Sequence, residues 1–393
     1  MSNLIFIYHL LVVFVLVGVL INFLLNQLAV PLLVQRQCDP NQSPFVSILV
    51  PARNEEAVIE RCLRSLQAQD YPNYEIILLD DQSTDRTAEI ARELGFFSEE
   101  ARFRILSGQP LPTGWVGKNW ACHQLSQVAR GDYFLFTDAD THHAPFALSS
   151  TMAEALEHQT DLLTLWPAQE TITWSEKLVI PILFVAAAGM LPHWLLALAQ
   201  KNKNLCNRFT THQWRMLGVA NGQYVLFSRK GYQRIGGHES VKNHMVEDVA
   251  LGRLVASHTG EGMILKNCDG GGLVSTRMYQ SFAQLWEGFT KNAWPIFEGN
   301  FRLFYMGLTV QFLVFVAPFL LLPLARVSWL MLFFQISLIY FIRLLFTLRY
   351  RSSWWGALFH PFGYLLATAI AIQSYRLNLR SGLTWKGRTY HVK

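Results

Sequence analysis

The stretch Tyr133-Phe134-Leu135-Phe136-Thr137-Asp138-Ala139-Asp140-Thr141 decides how the rest of the chain is read. Its first five residues are aromatic, apolar or β-branched, which suits a short buried strand. Two carboxylates follow where that run stops. Separated by one residue, Asp138 and Asp140 can both turn toward one hard cation and the phosphates that share it. Mg2+ or Mn2+ held there would stabilise charge on a departing diphosphate. A solvated turn is the commoner reading of such a tripeptide taken alone, so its surroundings carry the decision.

Upstream, apolar runs at 45–50, 75–79 and 103–106 alternate with helical spacing at 57–69, from Arg86 onward with Asp85 as N-cap, and at 120–129. This alternation predicts an α/β fold, a parallel sheet with helices on both faces. Ligands bind such sheets at the carboxyl ends of the strands. Polar clusters stand at those ends. Pro51-Ala52-Arg53-Asn54-Glu55-Glu56 closes the first run, with Arg53 able to pair with phosphate and Glu55 with a nucleoside hydroxyl. Leu79-Asp80-Asp81-Gln82-Ser83-Thr84-Asp85 closes the second, where an acid can accept from a nucleobase N–H or a ribose hydroxyl. Each loop alone reads equally well as solvated surface, although a helix cap explains Asp85 and not the Asp80-Asp81 pair.

Composition adds the membrane. Only 16% of the 393 residues are charged, against roughly 25% in soluble proteins. The apolar run Leu4–Leu25 is interrupted only by His9 and Asn22 and is long enough to span a bilayer. With no basic n-region or small-residue cleavage site it reads as a retained anchor. Arg36 follows it, which places the N-terminus outside and the following chain in the cytoplasm. Leu178–Ala199, broken by Pro181 and Pro192, reads as an interfacial element. Apolar stretches at 303–324, 328–348 and 354–374 follow, the third interrupted at His360-Pro361, and then a basic tail expected in the cytoplasm. The expected organisation is an anchor at 1–30, a catalytic domain at 40–300 containing 178–199, a membrane region at 301–375 and a tail at 376–393. Net charge is +5 with no basic stripe, so nucleic acid is not an expected partner. Cysteines 38, 62, 122, 206 and 268 lack disulfide or zinc spacing.

The order of elements is more specific than any one of them. Pro-Ala-Arg-Asn-Glu-Glu, then Asp-Asp-Gln-Ser-Thr-Asp, then Thr-Asp-Ala-Asp, then Met245-Val246-Glu247-Asp248 resembles glycosyltransferase family 2 across residues 45–300. The resemblance implies the GT-A fold, a Rossmann-like and mostly parallel α/β sheet. By position it implies nucleoside contacts from Ala52, Arg53, Glu55 and Asp81. Lys118, in Gly114-Trp115-Val116-Gly117-Lys118-Asn119, resembles the family's Gly-Lys element beside the donor. The resemblance also implies that Asp138 contacts the donor diphosphate and, with Asp140, holds the metal. Asp248 is implied as the base that deprotonates the acceptor hydroxyl, with Glu247 in support, and the transfer inverts the anomeric carbon. A UDP-sugar is the expected donor and a GDP-sugar the alternative.

Processive members carry Gln-x-x-Arg-Trp after the base, whereas this chain has Trp286-Glu287-Gly288-Phe289-Thr290-Lys291-Asn292. Trp286 is a candidate acceptor platform, with packing at the membrane surface as the other reading, and Lys291 is a candidate diphosphate contact. Together with Gly-Trp-x-Gly-Lys and Trp385-Lys386-Gly387-Arg388, this variant resembles a membrane subgroup associated with carotenoid and hopanoid biosynthesis, and more distantly ceramide glucosyltransferases. Hexose transfer to a hydroxyl of a membrane isoprenoid is the expected reaction, at the cell membrane. A polysaccharide synthase and a non-catalytic scaffold or transport subunit are the alternatives. His123, His142, His143 and His244 read as ordinary polar residues, the His142-His143 pair in a loop.

Overall fold

The computed structural model describes residues 3–39, 43–97, 102–324 and 328–390. Residues 1–2 of the expected anchor, 40–42 and 98–101 of the catalytic segment, 325–327 of the membrane region and 391–393 of the tail lie outside the described residues. The chain forms two compact units. An α/β unit comprises Ala29–Glu170 and His193–Met278, and a helical unit comprises Met1–Leu28, Thr171–Pro192 and Tyr279–Lys393.

The strands of the α/β unit are β1 Val46–Ala52, β2 Tyr74–Asp80, β3 Phe103–Ser107, β4 Tyr133–Thr137, β5 Thr141–His143, β6 Leu162–Trp166, β7 Ala168–Gln169, β8 Tyr224–Ser228, β9 Leu265–Asp269 and β10 Val274–Thr276. Seven of them form one sheet in the order β3-β2-β1-β4-β8-β6-β9. Val46, Ile48 and Val50 of β1 pack with the helix Ile59–Gln67 on one face. Leu49 packs with Ala121, Cys122 and Leu125 of the helix Gly117–Val128 on the other. The two-sided, Rossmann-like core expected from the alternation is present.

The sheet is mixed, which corrects the expectation of a parallel one. β8 runs antiparallel to both β4 and β6, while the other neighbouring pairs are parallel. The sequence Tyr-Val-Leu-Phe-Ser is buried on both faces, and such a run reads the same in either direction. The reversal has a positional effect. Thr137, at the end of β4, pairs with Tyr224, at the start of β8. The loop that leads into β8 therefore joins the loops that leave the parallel strands. Small boundary shifts accompany this. Pro51 lies inside β1, beyond the pairing with β4 that stops at Leu49. The third helix spans Thr87–Glu93 and its N-cap position is Arg86, with Asp85 instead accepting from the Thr87 N–H at 3.0 Å.

At the opposite edge, a buried charge ties four chain segments. Glu75 is fully buried at the start of β2. It accepts from Ser47 Oγ at 2.6 Å, from the Arg130 N–H at 2.9 Å and from the Arg104 and Arg130 guanidinium groups at 2.8 Å each. Burial alone would raise the Glu75 carboxyl. Those donors and charges outweigh it and hold the group below the usual carboxylate range.

In the helical unit, the N-terminal helix spans Asn3–Ala29. The next runs Trp174–Phe184 and continues as a π-helix over Val185–Met190. Pro181 sits inside it without ending it; the break falls at Leu191-Pro192, so only one of the two prolines acts as expected. Phe282–Ala293, Phe301–Phe315, Trp329–Arg349, Trp354–Leu358 and His360–Arg380 follow. The chain then makes a hairpin of β11 Leu383–Trp385 and β12 Arg388–Tyr390. Among the described residues three helical stretches are long and apolar enough to cross a membrane: Asn3–Ala29, Trp174–Lys201 and Trp329–Arg349.

The polar residues of the first helix are matched inside this unit. Pro192 has no N–H for the Ala188 carbonyl four residues earlier. Asn26 Nδ2 supplies one at 2.8 Å and also donates to the Leu191 carbonyl at 2.8 Å. Asn22 Nδ2 donates to the carbonyls of Gly189 and Leu191 at 3.0 and 3.1 Å. Gln335 donates to the His9 carbonyl at 3.1 Å. Intramembrane polar groups face protein in this way because lipid offers them nothing.

Glu75→Gln should cost about 3 kcal/mol, because two guanidinium groups lose their buried partner. Glu75 has a depressed folded pKa, so its stabilisation is present above the unfolded carboxylate value and disappears as pH falls through the folded one. Denaturant unfolding of both proteins should show a gap at pH 7 that closes below about pH 4. A constant gap across that range would assign the loss to shape rather than charge.

Candidate active site

The loops after β1 and β2 are zipped together by their own side chains. The Asp81 N–H donates to the Ala52 carbonyl at 2.8 Å. Asn54 Oδ1 accepts from the Thr84 N–H at 2.8 Å, and the Asn54 N–H donates to Ser83 Oγ at 3.0 Å. Glu56 and Asp85 exchange equivalent bonds: the Glu56 N–H donates to Asp85 Oδ2, and the Arg86 N–H to Glu56 Oε2. Asp80 Oδ1 accepts from the Ser83 N–H at 3.1 Å. Asn54, Glu56, Asp80 and Asp85 therefore shape the loops. Asn54 and Gln82 take left-handed backbone, with φ of 52° and 59°. Arg53 Nη1 donates to the Gln82 carbonyl at 3.3 Å and also reaches that of Asp81, which stands buried beside it. Glu55 is half-buried on the same loop.

At the end of β4, Ala139 is buried in the core while Asp138 and Asp140 on either side of it are half-buried. A hydroxyl network fixes the turn. Thr141 Oγ1 donates to the Asp138 carbonyl at 2.7 Å, and Thr137 Oγ1 to the Gln223 carbonyl at 2.8 Å. His143 Nε2 lies 2.9 Å from Thr141 Oγ1, and burial, then His142, pushes its pKa down to about 3. It is a neutral, packed histidine on β5 rather than the polar loop residue expected.

Lys118 reaches into this edge from the first turn of the helix Gly117–Val128. Its Nζ lies 2.6 Å from Asp138 Oδ1 and 2.8 Å from Glu247 Oε1. Burial would lower its pKa; Asp138 and Glu247 overcome that and hold it well above the ordinary lysine value. Glu247 and Asp248 open the helix Glu247–Ser257. The Gly222 N–H donates to Asp248 Oδ2 at 2.7 Å, and the Val249 N–H to Oδ1 at 2.8 Å. Burial, then the neighbouring Glu247 charge, raises Asp248 to about 6, with Lys118 opposing. A carboxylate so placed takes up and gives a proton near neutral pH.

Sequence reading missed two residues here. A Cβ on Gly222 would stand 3.0 Å from Asp248 Oδ2 and 3.2 Å from Lys118 Nζ, so a side chain would intrude on both. Asn119, fully buried, donates to the carbonyls of Val241 at 2.7 Å and His244 at 2.9 Å, and so holds the segment leading to Glu247. The signal for Asn119 was its place next to Lys118. Gly222 had only an Asn-Gly pair before a strand, a common turn signal.

The α/β unit thus gathers Ala52, Arg53, Glu55, Asp81, Lys118, Asp138, Asp140, Glu247 and Asp248. Trp286 and Lys291 belong to the helical unit, on the helix Phe282–Ala293. Trp286 packs on Phe282, and Lys291 Nζ sits 4.3 Å above the Trp385 ring.

Donor chemistry for a divalent cation is present in two places. Asp138 and Asp140 offer hard oxygens beside the bound cationic head of Lys118, which shows that the pocket accepts positive charge. Glu154, Glu157 and His158 also bring ligand atoms within 4.8 Å of one another. There Arg36 pairs with both carboxylates and Lys266 with Glu154, so resident cations already balance that group.

Residues 47–179 match the family model described as Glycosyl transferase family 2. The 4,4'-diaponeurosporenoate glycosyltransferase of Staphylococcus haemolyticus is 28% identical over 264 residues, 66% of this chain and 63% of that protein, so the match spans under two thirds of that relative. Its Staphylococcus aureus counterpart is 27% identical over 357 residues, 88% of each chain. A mannosyltransferase from Pyrobaculum calidifontis, solved with GDP-Man and Mn2+, shares the fold with a TM-score of 0.52 at 16% identity, over 95% of this chain and 98% of that one. Residues 47–179 thus match glycosyltransferase family 2, and the chain is similar in sequence to the diaponeurosporenoate glycosyltransferases of Staphylococcus.

Proposed function

We propose that the protein transfers a hexose from a nucleotide sugar to a hydroxyl of a membrane isoprenoid, with inversion, on the cytoplasmic side of the cell membrane. The observation that carries the reading is the bridge from Lys118 to Asp138 and Glu247, next to Asp248 raised to about 6. It joins the diphosphate end of a donor site to a base. Arg53, Glu55, Asp81 and the Ala52 backbone take the nucleoside. A divalent cation held by Asp138 and Asp140 would supply positive charge at the departing diphosphate. Lys118 neutralises the same region. Asp248, oriented by the Gly222 and Val249 N–H groups, removes the acceptor proton as its oxygen bonds to the anomeric carbon. Arg36 after the first helix supports the cytoplasmic placement.

The acceptor named for the Staphylococcus relatives is a carboxylate, which favours a second reading of the acceptor group. A carboxylate has no proton to lose at neutral pH. Its product is a sugar ester, which mild alkali cleaves, whereas a glycoside of a hydroxyl survives.

Labelled-sugar transfer into lipid extracts separates the possibilities. With a hydroxyl acceptor, Asp248→Asn should lower turnover about 10²–10⁴-fold. Equal incorporation by the variant would remove Asp248 as the base. The wild-type rate should fall as pH drops through about 6, since only the deprotonated Asp248 accepts a proton; a flat profile from pH 5 to 8 would argue against this assignment. Gly222→Ala should lower turnover about tenfold or more while leaving the circular dichroism spectrum unchanged, because it displaces Asp248 and Lys118 without unfolding the sheet.

A further inference from the structure

The helical unit contains a preformed groove of about 380 Å³, lined by Trp174, Lys177, Leu178, Trp355, Phe359 and Phe362. Gly356 completes the lining. Its walls meet at backbone distance for a reason written in the sequence. Pro181 lacks the N–H that would occupy the Lys177 carbonyl. Gly356 packs against that carbonyl so closely that a Cβ would lie 1.9 Å from it, and a Cβ on Gly363 would lie 2.8 Å from the Leu178 carbonyl. Small residues allow such helix contacts in a membrane. Arg343, buried on the helix Trp329–Arg349, donates to the Pro181 carbonyl at 3.4 Å and the Gly356 carbonyl at 3.3 Å, fastening both walls.

The lining has a distinct chemistry. Trp174 and Trp355 are each 64% exposed. Trp355 stacks on Phe359 with 13° between the planes, and Trp174 on Phe282 with 23°. Flat ring faces laid side by side suit a flat conjugated chain better than a flexible saturated one. Among the described residues Lys177 is the one charged lining residue, and no carboxylate lines the groove. The complement of this surface is an extended apolar chain with a single anionic end.

We propose that the groove is a docking subsite for the acceptor, with the isoprenoid chain on the aromatic faces and an acidic head on Lys177. The inference rests on the lipid-glycosylating reading for the identity of the occupant, not for the existence of the subsite. The test uses the full chain in phosphatidylcholine nanodiscs and a diazirine-tagged polyene carboxylic acid. Photolabel should map to residues 174–178 and 354–362. Unlabelled polyene acid should displace it, whereas palmitate and phosphatidylglycerol at the same concentration should not. Lys177→Gln and Trp355→Ala, both at solvent-accessible positions, should each weaken labelling about tenfold, and Lys177→Arg should restore it. Label confined to other segments, or equal displacement by palmitate or phosphatidylglycerol, would overturn the proposal and leave a groove for ordinary lipid. Sugar transfer measured in the same nanodiscs separates the two ideas. Groove labelling without transfer keeps the subsite and removes the enzymatic reading; transfer without groove labelling does the reverse.

Discussion

The ammonium group of Lys118 sits between Asp138 and Glu247, and this edge of the sheet depends on it. Two half-buried or buried carboxylates facing one another without a cation would repel and would each lose solvation. With Lys118 present, the end of β4 and the first turn of the helix Glu247–Ser257 are held at one place. The antiparallel β8 adds the Gly222 N–H to the same place. Segments spread over residues 118–248 thus share one electrostatic centre. Asp248 is left beside it, charged at neutral pH but close to its titration point.

Much of this edge was legible because strand ends punctuate the sequence. Asp138 and Asp140 follow a buried run and flank the buried Ala139. The acidic loops after β1 and β2 were legible as functional sites only in part. Asn54, Glu56 and Asp85 bond to the neighbouring loop, and Asp80 caps a backbone N–H within its own. Spacing cannot separate a side chain that caps a backbone N–H from one that awaits a ligand. The direction of β8 was not legible either, since strand direction leaves no trace in a five-residue buried run. Gly222 was invisible for a related reason. Its importance comes from what a Cβ would strike, and those atoms belong to residues 118 and 248.

The membrane segments were readable as apolar runs, yet their breaks were less so. Pro181 is carried within a helix because glycine and arginine from other helices use the carbonyls around it. Pro192 ends its helix, and the N-terminal helix supplies the donors that the break requires. The same residue type gave opposite outcomes, and tertiary partners decided between them.

Those Asn donors bear on biogenesis. Asn22 and Asn26 bond to carbonyls 162 to 169 residues later in the chain. During synthesis the first helix enters the bilayer while its partner carbonyls are not yet made. Two amide side chains must wait in lipid or in the translocation machinery until the segment around Gly189 arrives. The whole first half of the catalytic sheet is synthesised in that interval. Insertion of the first helix and pairing of its Asn side chains are therefore separate events, with synthesis of β1 through β6 between them.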